Sequence, residues 1–301
     1  MEPRILVGTE RGLFTLDGLH TESLAGCEVA MLARDGSRWL AIVDDHEVWS
    51  RDGNGGWDIL ATLQELKVTC LLPTAGGLLV GTSEAHVYRL VGGEFQALDS
   101  FDATCGRDSW YTPWGGPPPD VRSMSVDVHG ALFANVHVGG IPCSTDLGKT
   151  WQPTIEVNSD VHQVFADHTS GLLLAASARG LGVSSDGGQS WRFNTVGLHG
   201  RYMRAVAVSE ETMVVTASTG HNSNRASLYR RPVDSNNPFE KCEAGLPDWF
   251  GQNIDTFCLA ASGEAFAFGT HDGQVFASFD GGQTWALVAE DLPLVLCVAL
   301  Q

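Results

Sequence analysis

Positive charge is scarce in this chain. Its 18 Lys and Arg stand against 36 Asp and Glu, a formal net charge of −18 over 301 residues. A field of that sign repels phosphate backbones, so no nucleic-acid partner is expected. No apolar run approaches the roughly 20 residues of a membrane-spanning helix, so no membrane partner is expected either. The start, MEPRILVGTERG, lacks a leader-like apolar stretch and enters a strand-like run at once, which makes the cytoplasm the expected location. Cysteine pairing is missing as well. Cys27, Cys70, Cys105, Cys143, Cys242, Cys258 and Cys297 are odd in number and show no Cys-x-x-Cys spacing. They read as reduced thiols, not as a disulfide frame or a zinc knot. A sustained helical apolar period is also absent, whereas 35 Gly and 12 Pro suit many turns.

What the chain does have is a repeated phrase. SFDGGQTW runs from Ser278 to Trp285, SSDGGQSW from Ser184 to Trp191, and STDLGKTW from Ser144 to Trp151. A worn copy, SRDGNGGW, runs from Ser50 to Trp57, with Asn54 and Gly56 as its departures. In each copy the Asp (Asp52, Asp146, Asp186 or Asp280) can accept backbone N–H bonds and close a tight turn. The Gly two residues later suits a positive φ, and the Trp pins the returning strand.

A short apolar strand precedes each phrase and recurs where the phrase has decayed. The series starts at Ile5, Leu40, Leu78, Leu132, Leu173, Met213 and Phe266, so successive starts differ by 35, 38, 54, 41, 40 and 53 residues. Seven units of about 40 residues match four-stranded propeller blades, with insertions at about 99–120 and 219–242. The first unit has no room for its own opening strand, and the chain ends in LPLVLCVAL with no partner strand after it. The expected fold is therefore all-β, a seven-bladed β-propeller in one domain over residues 1–301, its first blade completed by the C-terminal strand.

The repeated phrases resemble Asp-boxes, and the whole chain resembles the bacterial Asp-box (BNR-repeat) seven-bladed propellers described as sialidase-like or glycosyl-hydrolase-like. That resemblance implies the fold; the box itself is a turn and implies no reaction. A true sialidase is rejected. Its six blades would be seven here, Arg4 stands in Glu-Pro-Arg-Ile and not in Arg-Ile-Pro, and neither Tyr111 nor Tyr202 is accompanied by a Glu. The resemblance also brings an alternative role, since related propellers serve as assembly factors that hold a partner's peptide.

Propeller topology sorts the chemistry-bearing residues by face. The start of each blade's first strand and the end of its second share one face, and the boxes turn on the other. Aligned first strands put Arg122, His162, Arg204 and Asp255 at one equivalent position, with Asp120, Asp160 and Tyr202 just before it. Asn135, His137 and His221 follow second strands on that face, and Trp110, Trp114 and Trp249 lie in loops that overhang it. The expectation is a polar pocket for a polar or anionic, sugar-derived small molecule, with hydrolysis or elimination as the reaction. His162, Asp255, Asp160 and Asp120 are the catalytic candidates. Arg122, Arg204, Asn135, His137, Tyr202, Trp110, Trp114 and Trp249 are the substrate-binding candidates. His137, His162 and His221 are the candidate ligands should a divalent metal be the cofactor. The alternative expectation is a non-catalytic platform that grips a partner peptide on the same face.

Overall fold

Short apolar strands, each too narrow to bury its own surface, pair into seven four-stranded sheets. The computed structural model describes residues 3–17, 21–53 and 55–301, so Asn54 of the worn box lies outside the described residues. The chain is all-β, a seven-bladed β-propeller. Its first blade has the strand order Val295–Leu300, Ile5–Thr9, Gly12–Leu16, Thr21–Ser23, so the C-terminal strand completes it as expected. Register runs from Ile5 opposite Leu300 to Gly8 opposite Cys297.

The described chain divides into two compact units. Met1–Ala30, Ala176–Gly182 and Phe193–Gln301 form one, and Met31–Ala175 with Val183–Arg192 form the other. The first has a core that includes Val7, Leu228, Phe266, Phe268 and Val295. Among the fully buried side chains of the second are Leu40, Ile42, Leu79, Phe101, Phe133 and Ile141.

The boxes at Asp146, Asp186 and Asp280 share one hydrogen-bond pattern. Asp146 Oδ1 accepts from the Ser144 hydroxyl at 2.8 Å and from the backbone N–H groups of Lys149 and Thr150 at 3.0 and 2.9 Å. Its Oδ2 accepts from the Thr150 hydroxyl at 2.7 Å. Asp186 and Asp280 repeat this with Ser190 and Thr284. Each turn needs two consecutive residues with positive φ, where only the second was expected: Gly187 and Gly188, Gly281 and Gly282, and Leu147 with Gly148. Leu147 takes φ 63° with its side chain 60% exposed.

Hydrogen bonds from the Thr150 or Ser190 hydroxyl, the backbone and the box Ser pull the Asp146 and Asp186 carboxyls down to about 2. In Asp280 burial works upward, but the same bonds outweigh it and the pKa is lowered. A folded pKa below the unfolded value of roughly 4 gives stability that is complete above that pH and lost as pH falls toward 2. Urea midpoints should therefore drop between pH 4 and pH 2. The drop should be shallower in an Asp146→Asn, Asp186→Asn, Asp280→Asn triple variant; equal pH slopes would count against the box contribution.

Two opening strands are shorter than their apolar patterns suggest. The runs from Met203 and Ile254 become strands only at Val206 and Leu259. In the first, the Thr216 hydroxyl accepts the Ala205 N–H at 3.0 Å, and Tyr202 pairs with Ser218 in an isolated bridge outside the strand. In the second, the Cys258 N–H turns back to the Asp255 carbonyl at 3.0 Å, and Phe257 sits at φ 69°. Arg204 and Asp255 thus precede their strands, whereas Arg122 and His162 lie within theirs.

Candidate functional site

A short 3-10 turn, Val157–Ser159, ends at Asp160, whose backbone is left-handed with φ 48° and ψ 66°. Strand Val161–Ala166 then begins, and its second residue, His162, is fully buried. Neighbouring opening strands are tied together by Val164 N–H to Ser123 Oγ and Ala166 N–H to Ser125 Oγ, both 2.9 Å. His137 follows strand Leu132–Val136, and its N–H donates to the Asp120 carbonyl at 3.0 Å. These links bring two imidazoles to one carboxylate. Asp160 Oδ1 stands 3.2 Å from His137 Nε2 and 3.5 Å from His162 Nε2.

The insertion covers this group with aromatic side chains. Tyr111 donates its N–H to the Val138 carbonyl at 3.3 Å and its hydroxyl to Asn158 Oδ1 at 3.0 Å. Trp114 is 69% exposed, with its ring 5.6 Å from that of His137. Trp110 does something different. It packs on Phe101 at 5.8 Å and under the Arg107 guanidinium, anchoring its loop.

The two carboxyls beside His137 are displaced in opposite directions. Burial raises Asp120 and prevails over the charges of Arg122, His137 and Lys67 and a hydrogen bond from the Glu84 backbone. Burial also acts upward on Asp160, but the His137 hydrogen bond and the charges of His162, His137 and Arg122 outweigh it, so its pKa is lowered. At neutral pH Asp160 is an anion, and Asp120 is the easier of the two to protonate. Asn135 lies in strand Leu132–Val136, two residues before His137; it is fully buried, and neither its amide nitrogen nor its oxygen has a hydrogen-bond partner.

The remaining candidates gather in the other unit. Arg204 donates through Nη1 to Asp255, and its Nη2 meets His221 Nδ1 at 3.1 Å. Its guanidinium stands over the Tyr202 ring at 5.6 Å. Burial works to lower the Arg204 pKa, but Asp255 and Tyr202 outweigh it and raise it. Trp249 sits among His199, Arg225 and Lys241, with centroid distances of 4.4, 4.4 and 4.2 Å. Among the described residues, the group of three able to hold a metal is His137, Asp160 and His162. Sequence reasoning named two of these as ligands and gave Asp160 a catalytic role only. No sequence signal linked Asp160 to both imidazoles, since the link depends on the left-handed turn after Ser159.

A cavity of about 420 Å³ in the second unit is lined by Arg34, Pro73, Arg89, Val126 and Leu147, among others. It contains none of the His137, Asp160 and His162 group, and its ionisable lining is one carboxylate, Asp35, with Arg34 and Arg89, so it is the weaker candidate for chemistry.

No family model and no curated protein matches this chain. Solved structures do. An ancestral GH74 enzyme aligns with TM-score 0.63 at 13% identity, over 99% of this chain but only 40% of its own length. YCF48 bound to a D1 peptide aligns with TM-score 0.57 at 14% identity, over 86% of this chain and 82% of its own. The WD40 propeller domain of Doa1 gives 0.60 at 14%, over 93% and 83%. The likeness is one of fold alone. These structures include an enzyme and a protein bound to a peptide, so the site must supply the argument.

Proposed function

We propose that the protein is a small-molecule enzyme of the Asp-box, sialidase-like kind of propeller without being a sialidase. It acts by hydrolysis or elimination on a polar, anionic, sugar-derived substrate at the His137, Asp160 and His162 group. The observation that carries this reading is the opposite displacement of Asp120 and Asp160 around one imidazole. Two carboxyls pushed apart in this way divide into a proton donor and an anion that supports the base. Asp120 is the acid that protonates the leaving group. Asp160 holds His137 and His162, and this group supplies the base. Arg122, whose charge acts on both carboxyls, attracts the substrate's anionic group. Trp114 offers a flat apolar face to a sugar ring. Arg204 is already matched to Asp255, so that pair braces its own unit.

Thermal-shift screening with uronic acids and sugar phosphates tests this. A ligand that stabilises the wild type should lose at least about tenfold in affinity in Arg122→Gln and in Trp114→Ala. If no such compound binds, or both variants bind as the wild type does, the reading fails.

The exposure of Trp114 and Tyr111, 69% and 48%, favours a second reading. Here they anchor a partner peptide, as interface aromatics do. The YCF48 structure holds a D1 peptide, which gives this reading a precedent on the same fold. Affinity capture of one stoichiometric protein, lost in Trp114→Ala, would decide for it.

A further inference from the structure

The same three residues carry a more specific assignment, which rests on the site proposed above. We propose that His137 Nε2, His162 Nε2 and Asp160 Oδ1 bind one first-row divalent cation, Zn²⁺ in first place, and leave a coordination position open. The three donor atoms lie within 4.8 Å of one another. Those 3.2 and 3.5 Å separations from Asp160 are the spacing of donors around a single ion. Tetrahedral ligands held at ~2.1 Å stand roughly 3.4 Å apart.

The donor chemistry narrows the cation. Two imidazoles with one carboxylate suit zinc and its neighbours, while magnesium and calcium prefer all-oxygen shells. Three protein ligands are the number found where a fourth position holds water or substrate. Each donor comes from a rigid place: His162 from inside a strand, His137 from directly after another, and Asp160 from the left-handed residue just before the strand of His162. Asp160 is a non-glycine residue held at positive φ, and backbone strain of that kind concentrates at functional sites.

Asn135 is a second, independent observation. A fully buried amide without hydrogen bonds is costly. Asn135 stands two residues before His137 in the chain, so a water on an ion held by His137 would give the amide a partner. Bound there, the ion would lower the pKa of its water toward about 7 and so provide the base.

The test uses EDTA-dialysed full-length protein titrated with Co²⁺ and Zn²⁺, read by visible d–d absorption and by calorimetry. One equivalent should bind, with intense low-symmetry Co²⁺ bands and a rise in melting temperature with Zn²⁺. His137→Gln, His162→Gln and Asp160→Asn should each weaken binding at least about 100-fold. His221→Ala should leave affinity and stoichiometry unchanged. His162 is fully buried and its variant could fail to fold, so the His137 and Asp160 variants decide alone in that case. Octahedral, aquo-like Co²⁺ spectra in the wild type, or wild-type affinity in these variants, would overturn the assignment. Small-molecule binding by the EDTA-treated protein in the absence of a metal site would sink the metal and keep the enzyme reading. A metal site with no sugar-acid or sugar-phosphate binding would do the reverse.

Discussion

Removing residues 295–301 should leave a chain that does not melt cooperatively. Strand Val295–Leu300 is the opening strand of the first blade and pairs along Ile5–Thr9. Val295, Cys297 and Val298 are each at least nine-tenths buried. At roughly 1.5–3 kcal/mol for each apolar side chain of this kind, their loss costs about 5 kcal/mol before any hydrogen bond is counted. That alone rivals the whole stability of a marginal protein. The strand is also tied outside its own sheet, through Val298 N–H to the Phe257 carbonyl at 2.8 Å and Cys297 Sγ to the Val29 carbonyl at 3.6 Å. Its removal would expose Ile5–Thr9 as a long apolar edge, which invites aggregation. Circular dichroism melts and size-exclusion chromatography check this, and a synthetic 292–301 peptide should restore a cooperative melt. A truncated chain melting within a few degrees of the full one would mean that the first blade closes without its fourth strand.

That closure was readable from the sequence because both halves of the signal are local. An apolar strand with no follower at one end and a missing opening strand at the other describe one gap. The boxes were readable for a similar reason, since their hydrogen bonds run within four residues of the Asp. Leu147 was not. A leucine carries no sign that it will take φ 63°, and only the Asp and Gly around it hold the turn. The openings at Met203 and Ile254 were misjudged because Thr216 and the turn at Asp255 compete for backbone groups that apolar periodicity assigns to a ladder. In the site, the blade frame picked out His137, His162, Asp160 and Asp120 individually. The opposite displacements of Asp120 and Asp160 were hidden, since they depend on burial and on which atoms face Asp160. Trp110 and Trp114 make the same point four residues apart. One is packed under its loop on Phe101 and the other stands open beside His137, yet residue type alone predicts one role for both.

Gly245→Ala should be the most damaging single methyl addition near a box. A Cβ at this position would stand 1.8 Å from the Trp285 carbonyl oxygen, and the residue has φ +84°. The neighbouring Ala244 carbonyl accepts the Trp285 N–H at 2.9 Å, so loop and box Trp are already bonded and neither can retreat cheaply. Trp285 in turn is 5% exposed and packs edge-on against Phe268 at 5.2 Å. Left-handed strain of about 1–2 kcal/mol adds to an overpacking cost of about 1–3 kcal/mol, so a loss of roughly 3 kcal/mol is expected. Gly187→Ala provides the comparison. Its φ is +69°, but nothing lies within 4 Å of the added Cβ, so it should lose only the conformational part, about 1 kcal/mol. Urea denaturation of both variants separates the two terms. Equal losses would show that positive φ is the whole cost and that the Trp285 carbonyl yields. A threefold difference would show that Trp285 is clamped from the loop at Gly245.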